Sequence, residues 1–536
     1  MGEQKRTFNV NGVCYPDEHY MVNLESRLVQ IKALVDRGKY FVINKGRQYG
    51  KTTVLQALGE CLCQEYVIFS MDFQQMSSAS FQDEYRFVDA FINNVLQLIH
   101  SKSKKTDGLA KEGILMLEKL FETERGNIDL PQMFGCLSKL CASAEKPVVL
   151  IIDEVDNASN DQVFLDFLSQ LRALYLNRRE RTTFRSVILA GVYDIKNLKQ
   201  KIRIEGERKY NSPWNIAADF DVEMSFSAKD IEGMLEEYEQ DWHTGMNTAG
   251  MSKLIFDYTG GYPFLVSRIC QLIDEKLAGR ENYPDRSAAW TQRGVLEAVN
   301  MLLSMPSTLF DDMTKKLTDF PELKKMLKGM LFQGRKYTCE RENQAISLGI
   351  MFGFLKNHDN IVVVANRIFE TKLYNLFLSE GEIEDLKYDS QFPDKNQFIR
   401  DGHLDMELIM EKFAEHYEEI YGDCTERFLE ENGRRLFLLY LRPIINGTGN
   451  YYIEAQTRDL RRTDVIIDYR GERFVIELKI WHGEEYLKRG EQQLVDYLEY
   501  YKQEKGYLLS FSFNKKKSID IRKMQVCGKE IVEVVV

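Results

Sequence analysis

At 536 residues the chain is too long for one hydrophobic core, so about two to four domains are expected. With 44% hydrophobic and 29% charged residues it has an ordinary soluble balance, and no apolar run approaches the roughly 20 residues that span a bilayer. A net charge of −11 with a pI near 5.5 excludes a general nucleic-acid coat and leaves only local basic patches to hold anions.

The start, Met1-Gly2-Glu3-Gln4-Lys5-Arg6, lacks a signal-peptide apolar core, and Arg6 stands where a myristoylation signal wants Ser or Thr. A cytoplasmic location without a membrane partner is therefore expected. Phe8 to Gly12 reads as a short strand or turn. Leu24, Leu28, Ile31, Leu34 and Val35 then recur on one face of a helix expected over 24–36.

Next comes Tyr40-Phe41-Val42-Ile43-Asn44, an apolar run of strand type, followed by Lys45-Gly46-Arg47-Gln48-Tyr49-Gly50-Lys51-Thr52-Thr53. A strand, a loop ending in Gly-Lys-Thr-Thr and a helix together make a cradle for a nucleoside triphosphate. Loop and helix N–H groups, with Gly46, Gly50 and Thr53 in the cradle, face the phosphates. Lys51 reaches the β and γ oxygens, and the Thr52 hydroxyl serves Mg²⁺. The full pattern wants glycine where Lys45 stands, the glycine being displaced to Gly46.

After a helix over 53–63 and a strand over 66–72, a long helical stretch leads to Lys146-Pro147-Val148-Val149-Leu150-Ile151-Ile152-Asp153-Glu154-Val155-Asp156. The run Val148 to Ile152 suits a parallel strand buried on both faces, and ligands gather at the carboxyl ends of such strands. Asp153 would hold Mg²⁺ through water, and Glu154 would polarise an attacking water. A helix over 164–177 and a buried strand over 186–192 complete an α/β parallel sheet. Tyr193 or Asp194 follows where a γ-phosphate sensor would sit.

From Ser227 the pattern is helical, a lid that includes the turn Thr259-Gly260-Gly261-Tyr262-Pro263-Phe264. Leu348 to Leu355, then Asn360 to Val364, read as the last helix and hairpin of a winged helix, followed by a helix over 369–377. Winged helices bind DNA or pack on a nucleotide domain, and packing is the reading favoured here. Residues 379–396 are acidic and polar, contain Pro393, and read as a linker.

The carboxy-terminal part predicts a helix over 431–441, a strand over 451–455, and two strands, 463–468 and 473–479, joined by a turn at Arg470-Gly471-Glu472. Glu477 and Lys479, two apart on a strand, share a face. Beside Asp464 they would place two carboxylates and an ammonium in one pocket, a set that suits Mg²⁺ or Mn²⁺ and phosphodiester hydrolysis. Glu454 and Glu431 are weaker acid candidates. Against this stands a plain hairpin with surface charges, a reading opposed by the apolar neighbours Val475, Ile476 and Leu478.

These residues resemble the AAA-ATPase-like proteins (P-loop ATPases of STAND or archaeal type) abundant in anaerobic gut bacteria. The features carrying the resemblance are the run Tyr40 to Thr53, the Asp153-Glu154 strand end, Leu189-Ala190-Gly191-Val192, Gly260-Gly261-Tyr262-Pro263 and Asp401-Gly402-His403-Leu404-Asp405-Met406. Such proteins commonly carry a carboxy-terminal domain of the PD-(D/E)xK nuclease superfamily, and the resemblance implies action on mobile DNA. It also places an active-site glutamine at Gln493, on an amphipathic helix over 491–498.

The fold expected is thus a P-loop NTPase parallel sheet (1–225), a helical lid (226–290), a winged-helix-like domain (291–380), a linker (381–410) and an α/β restriction-endonuclease-like domain (411–536). The function expected is an ATP-gated, metal-dependent deoxyribonuclease with ATP, Mg²⁺ (Mn²⁺ in the nuclease site) and DNA as ligands. The alternative is a STAND-type signalling switch whose last domain binds nucleic acid or protein without cutting. A homo-oligomer would call for an arginine finger, for which Arg178, Arg179, Arg203 and Arg208 are available. Nine cysteines without a Cys-x-x-Cys pair argue against a disulfide framework and a zinc site. The basic runs at 102–105, 178–181, 199–209 and 515–517 read first as solvated faces.

Overall fold

The computed structural model describes residues 5–101, 103–158, 161–192, 214–333, 335–384, 395–421, 430–445, 449–456, 462–480, 484–511 and 520–536. The chain forms two compact units. One comprises Met1–Phe226 with Tyr262–Phe264 and Met351–Gly353, and the other Ser227–Gly261, Leu265–Ile350 and Phe354–Val536.

The first unit is built on four parallel strands, β1 (Phe41–Asn44), β2 (Val67–Asp72), β3 (Val148–Asp153) and β4 (Ser186–Gly191), in the order β1-β4-β3-β2. Every residue of β3 and β4 is buried. The reason lies in period-two alternation. Phe41, Ile43, Ile68, Val149, Ile151, Ile188 and Ala190 enter one core with helices Glu25–Asp36 and Lys51–Leu62. Val42, Val67, Phe69, Leu150, Ile152, Val187 and Leu189 enter the other with helices Glu84–His100, Leu130–Ser143 and Gln162–Leu176. That second core is rich in phenylalanine. Phe87 meets Phe167 edge-on at 5.3 Å, and Phe134 lies 5.4 Å from the same ring. Aromatic contacts of this kind add about 0.5–1.5 kcal/mol each beyond burial.

The second unit begins with helices from Ala228–Trp242 onward, Ser227 capping the first through a reciprocal bond with Asp230. A hairpin of β5 (Leu355–His358) and β6 (Ile361–Val364) turns at Asp359 and Asn360, both at positive φ (48° and 64°), as a two-residue hairpin turn requires. Helix Arg367–Glu384 follows. Structured elements occupy much of the stretch expected as linker. The pair β7 (Ile399–Arg400) and β8 (His403–Leu404) turns at Asp401-Gly402, and helix Met406–Tyr421 starts just after it.

The remainder is a six-stranded sheet of β9 (Gly449–Gln456), β10 (Arg462–Tyr469), β11 (Glu472–Ile480), β12 (Lys505–Phe511), β13 (Asp520–Val526) and β14 (Lys529–Val535), ordered β13-β14-β12-β11-β10-β9. β9, β10 and β11 form an antiparallel meander. β11 and β12 are parallel, joined through helix Glu484–Tyr500. Buried charge fastens this sheet to the helices before it. Tyr258 donates its hydroxyl hydrogen to Asp468, Arg473 reaches Asp468 at 2.9 Å and the Tyr258 oxygen at 2.7 Å, and Arg367 donates to the Tyr501 hydroxyl at 3.0 Å. The Arg473 side chain is 7% exposed. Its protonated form, which burial disfavours, is held by Asp468 and Tyr258 well above the ordinary arginine range.

Candidate functional site

β1 ends at Asn44 and the helix Lys51–Leu62 begins seven residues later, so 45–50 form the loop between them. Two residues there adopt positive φ, Gln48 at 56° and Gly50 at 77°. Glycine occupies the more extended turn at no steric cost. At Gly46 the demand is close approach, because an added Cβ would stand 2.6 Å from the carbonyl oxygen of Phe352. The displaced glycine of the motif is thus fixed by packing.

The helix starting at Lys51 has no side-chain cap at its N-terminus. Helices Glu84–His100 and Leu130–Ser143 are capped by Asp83 and Asp129, whereas Gly50 offers no side-chain cap. First-turn N–H groups without a capping side chain, on the positive end of the helix dipole, make an anion site. Lys51 is buried. Its ammonium donates to the carbonyls of Lys45 at 3.0 Å and Gly46 at 3.1 Å, strapping the loop to the helix. An ammonium has three donors, so one remains for a phosphate oxygen.

At the end of β3 the Asp153 carboxylate accepts from the Thr52 hydroxyl at 2.7 Å with Oδ2 and from the Glu154 amide at 2.9 Å with Oδ1. Glu154 takes positive φ, 51°, a conformation a non-glycine residue seldom holds without tertiary constraint. Beyond it, Asp156 accepts from the Val192 amide at 2.6 Å and so ties β3's exit to β4's end. Asp72, at the end of β2, pairs in register with Asp153.

This concentration of acids around one lysine sets the electrostatics. Burial pushes the Lys51 ammonium below the ordinary lysine range, and Glu154, Asp156 and Asp153 pull it back in part. Burial also pushes the Glu154 carboxyl up. Lys51 opposes that rise, and Asp153, Asp156 and Asp72 add to it. Hard oxygens from Thr52 and Asp153 lie side by side, a donor set that fits Mg²⁺ completed by phosphate and water.

The sequence-predicted residues around the loop are therefore together: Gly46, Gly50, Lys51, Thr52, Asp153 and Glu154. Thr53 lies one step along the helix, where its Oγ1 accepts from the Cys14 amide at 3.2 Å. Sequence reasoning missed Asp156 and Asp72, although both stand at strand ends, and it missed Tyr262, whose hydroxyl donates to the Arg47 carbonyl in this loop. Tyr193, Asp194, Arg203 and Arg208 lie outside the described residues. Arg178 donates to the Gly38 carbonyl at 2.8 Å and stacks over Tyr175 at 4.2 Å, and both Arg178 and Arg179 are exposed.

In the carboxy-terminal sheet Glu477 is buried, and its Oε1 lies 2.8 Å from the Lys479 ammonium. β10 and β11 pair in register from Val465–Ile476 to Tyr469–Glu472. The side chains of Asp464, Glu454 and Glu431 lie outside the described residues. Gln493 is exposed, because helix Glu484–Tyr500 turns Gly490, Leu494 and Leu498 toward the sheet, against Lys479 and Gly506. Among the described residues no three His, Cys, Asp or Glu gather as a metal site, and no helix is long and apolar enough to cross a membrane.

The Walker-type ATPase PABY2304 of Pyrococcus abyssi shares 12% identity with the chain, covering 68% of it and 99% of that protein, with a TM-score of 0.47. The Aeropyrum pernix ORC1 protein, solved in complex with DNA, shares 12% identity over 68% of this chain and 94% of its own, with a TM-score of 0.30. The ORC2 protein of the same organism, in ADPNP–ADP complexes, shares 10% identity over 71% and 99%, with a TM-score of 0.37. Curated proteins give no sequence match. Residues 16–379 match the AAA-like domain family, well over half of the chain, and the protein belongs to that family.

Proposed function

We propose that this protein binds and hydrolyses ATP and that its nucleotide state gates a metal-dependent nuclease in the carboxy-terminal sheet. The convergence of Lys51, Thr52, Asp153 and Glu154 carries the first half of the reading. Loop and first-turn amides take the phosphates, and the remaining donor of Lys51 meets a β or γ oxygen. Thr52 and Asp153 would hold Mg²⁺, which when bound neutralises charge growing on the transferred phosphoryl group. Glu154 accepts the proton of the attacking water. The water oxygen bonds to the γ-phosphorus as the bond to the β–γ bridging oxygen breaks, and ADP leaves with that electron pair.

The second half rests on the Glu477–Lys479 ion pair, whose carboxylate is buried, and on the presence of Asp464 in β10, the strand paired with β11. A buried carboxylate paired with a lysine, with a second acid on the neighbouring strand, suits a divalent cation and a phosphodiester, and nothing in a plain surface hairpin calls for them. Asp464 and Glu477 would hold the cation, and Lys479 would orient or deprotonate the attacking water. DNA is the substrate proposed, and defence against mobile or phage DNA the setting.

Incubation of the full-length protein with supercoiled plasmid, ATP and Mg²⁺ or Mn²⁺ tests this reading. Nicking by the wild type, lost in Asp464→Ala and made ATP-independent or lost in Lys51→Ala, is the expected result. Intact plasmid under every condition, with ATP turnover preserved, would reduce the carboxy-terminal sheet to a binding module.

A further inference from the structure

The phosphate loop is braced on its outer side by a residue far along the chain. Tyr262, 2% exposed, donates its hydroxyl hydrogen to the carbonyl oxygen of Arg47. Its ring meets that of Tyr49 edge-on, centroids 4.7 Å apart at 71°, and the Tyr49 hydroxyl shares a hydrogen with Ser225 at 2.6 Å. Tyr262 follows two consecutive residues at positive φ, Gly260 at 56° and Gly261 at 74°, and precedes Pro263. That tight turn holds the tyrosine with little freedom.

A trans peptide is planar, with its C=O and N–H on opposite edges. Whatever fixes the Arg47 carbonyl therefore fixes the direction of the Gln48 N–H. Lys51 already holds the two preceding carbonyls, those of Lys45 and Gly46. Three successive peptide planes are thus pinned, two by the lysine that the triphosphate recruits and the third by Tyr262. The third is held by a side chain that is independent of Lys51.

We propose that Tyr262 is a positioning residue of the nucleotide site, holding the Arg47–Gln48 peptide so that the Gln48 amide is directed to the phosphates. This inference rests on the ATP-binding reading above. An amide so directed meets the phosphates alike in the bound ground state and in the transition state, so its contribution is uniform binding. The loss of such a contact raises KM and spares kcat.

The test uses the full-length chain, calorimetric titration with Mg–ATP and steady-state ATP turnover, on wild type, Tyr262→Phe, Tyr40→Phe and Lys51→Ala. Tyr40 provides the matched control, a buried tyrosine whose hydroxyl donates to the Phe184 carbonyl at 3.1 Å away from the loop. Tyr262→Phe is expected to weaken Mg–ATP binding and raise KM by about five- to tenfold at unchanged kcat, the effect of one hydrogen bond. Tyr40→Phe should lower stability and leave KM as in the wild type. Wild-type KM in Tyr262→Phe, or a fall in kcat without a change in KM, overturns the positioning role and leaves ATP binding standing. Failure of the wild type itself to bind Mg–ATP overturns both.

Discussion

The hydroxyl of Thr52 donates to Oδ2 of Asp153 at 2.7 Å, joining the first helical turn after the phosphate loop to the end of the central strand, 101 residues later. The sheet order explains the meeting. β4 lies between β1 and β3, so the loop leaving β1 and the acids leaving β3 emerge on the same edge with one strand separating them. Both oxygens are hard donors held in register before any cation arrives, which reduces the reorganisation a cation would demand.

Asp153→Asn keeps an oxygen for the Thr52 hydroxyl and removes the charge. ATP binding without a divalent ion should be unaltered. The Mg²⁺ concentration for half-maximal ATP turnover should rise by about 10- to 100-fold, the usual cost of disturbing a cation's support. Titration of turnover against Mg²⁺ checks this, and an unchanged midpoint would remove Asp153 from the site.

The pH dependence of turnover should carry the mark of Glu154. Burial holds its carboxyl above the ordinary glutamate range, and Lys51 only partly offsets this. Turnover needs the ionised form, so activity should rise with pH along a limb displaced upward from that range. Stability runs the other way. A carboxyl whose folded-state pKa is raised binds its proton more tightly when folded, so this site loses stability as pH rises from the ordinary glutamate value through the folded one. Turnover and chemical unfolding measured across acidic pH would show opposite slopes in that window.

The Arg473–Asp468 pair predicts a mutational asymmetry in the second unit. Both groups are buried, and Tyr258 completes the cluster. Asp468→Ala leaves a guanidinium without its counter-charge and should cost about 3–5 kcal/mol in urea unfolding of the full chain. Replacing Arg473 and Asp468 together by apolar residues of similar volume should cost far less. The exposed Arg522–Asp520 pair should give no measurable change when either member is removed.

Much of this architecture is legible in the chain itself. The apolar runs of β3 and β4 announce strands covered on both faces, and the loop and acid motifs need only those strands to come together. Strand order is less legible, because Val187 to Ala190 would fit any central position of a parallel sheet. Tyr262 is quoted in a Gly-Gly-Tyr-Pro turn, yet nothing local says that its hydroxyl meets Arg47, a contact between positions 215 residues apart. The orientation of Gln493 is equally hard to read from the chain. Its helix is visible in the pattern, but whether Gln493 or Gly490 faces the sheet depends on how the helix is rotated, and Gly490 gains that place because Lys479 needs the room.

ATP binding and single-turnover hydrolysis measured side by side on the wild type, Lys51→Ala and Glu154→Gln decide whether this loop and strand end form a working ATPase site. The wild type should bind and hydrolyse, Lys51→Ala should do neither, and Glu154→Gln should bind ATP at near wild-type affinity while hydrolysis falls by about 100-fold or more. Equal binding and hydrolysis in all three proteins would contradict this assignment.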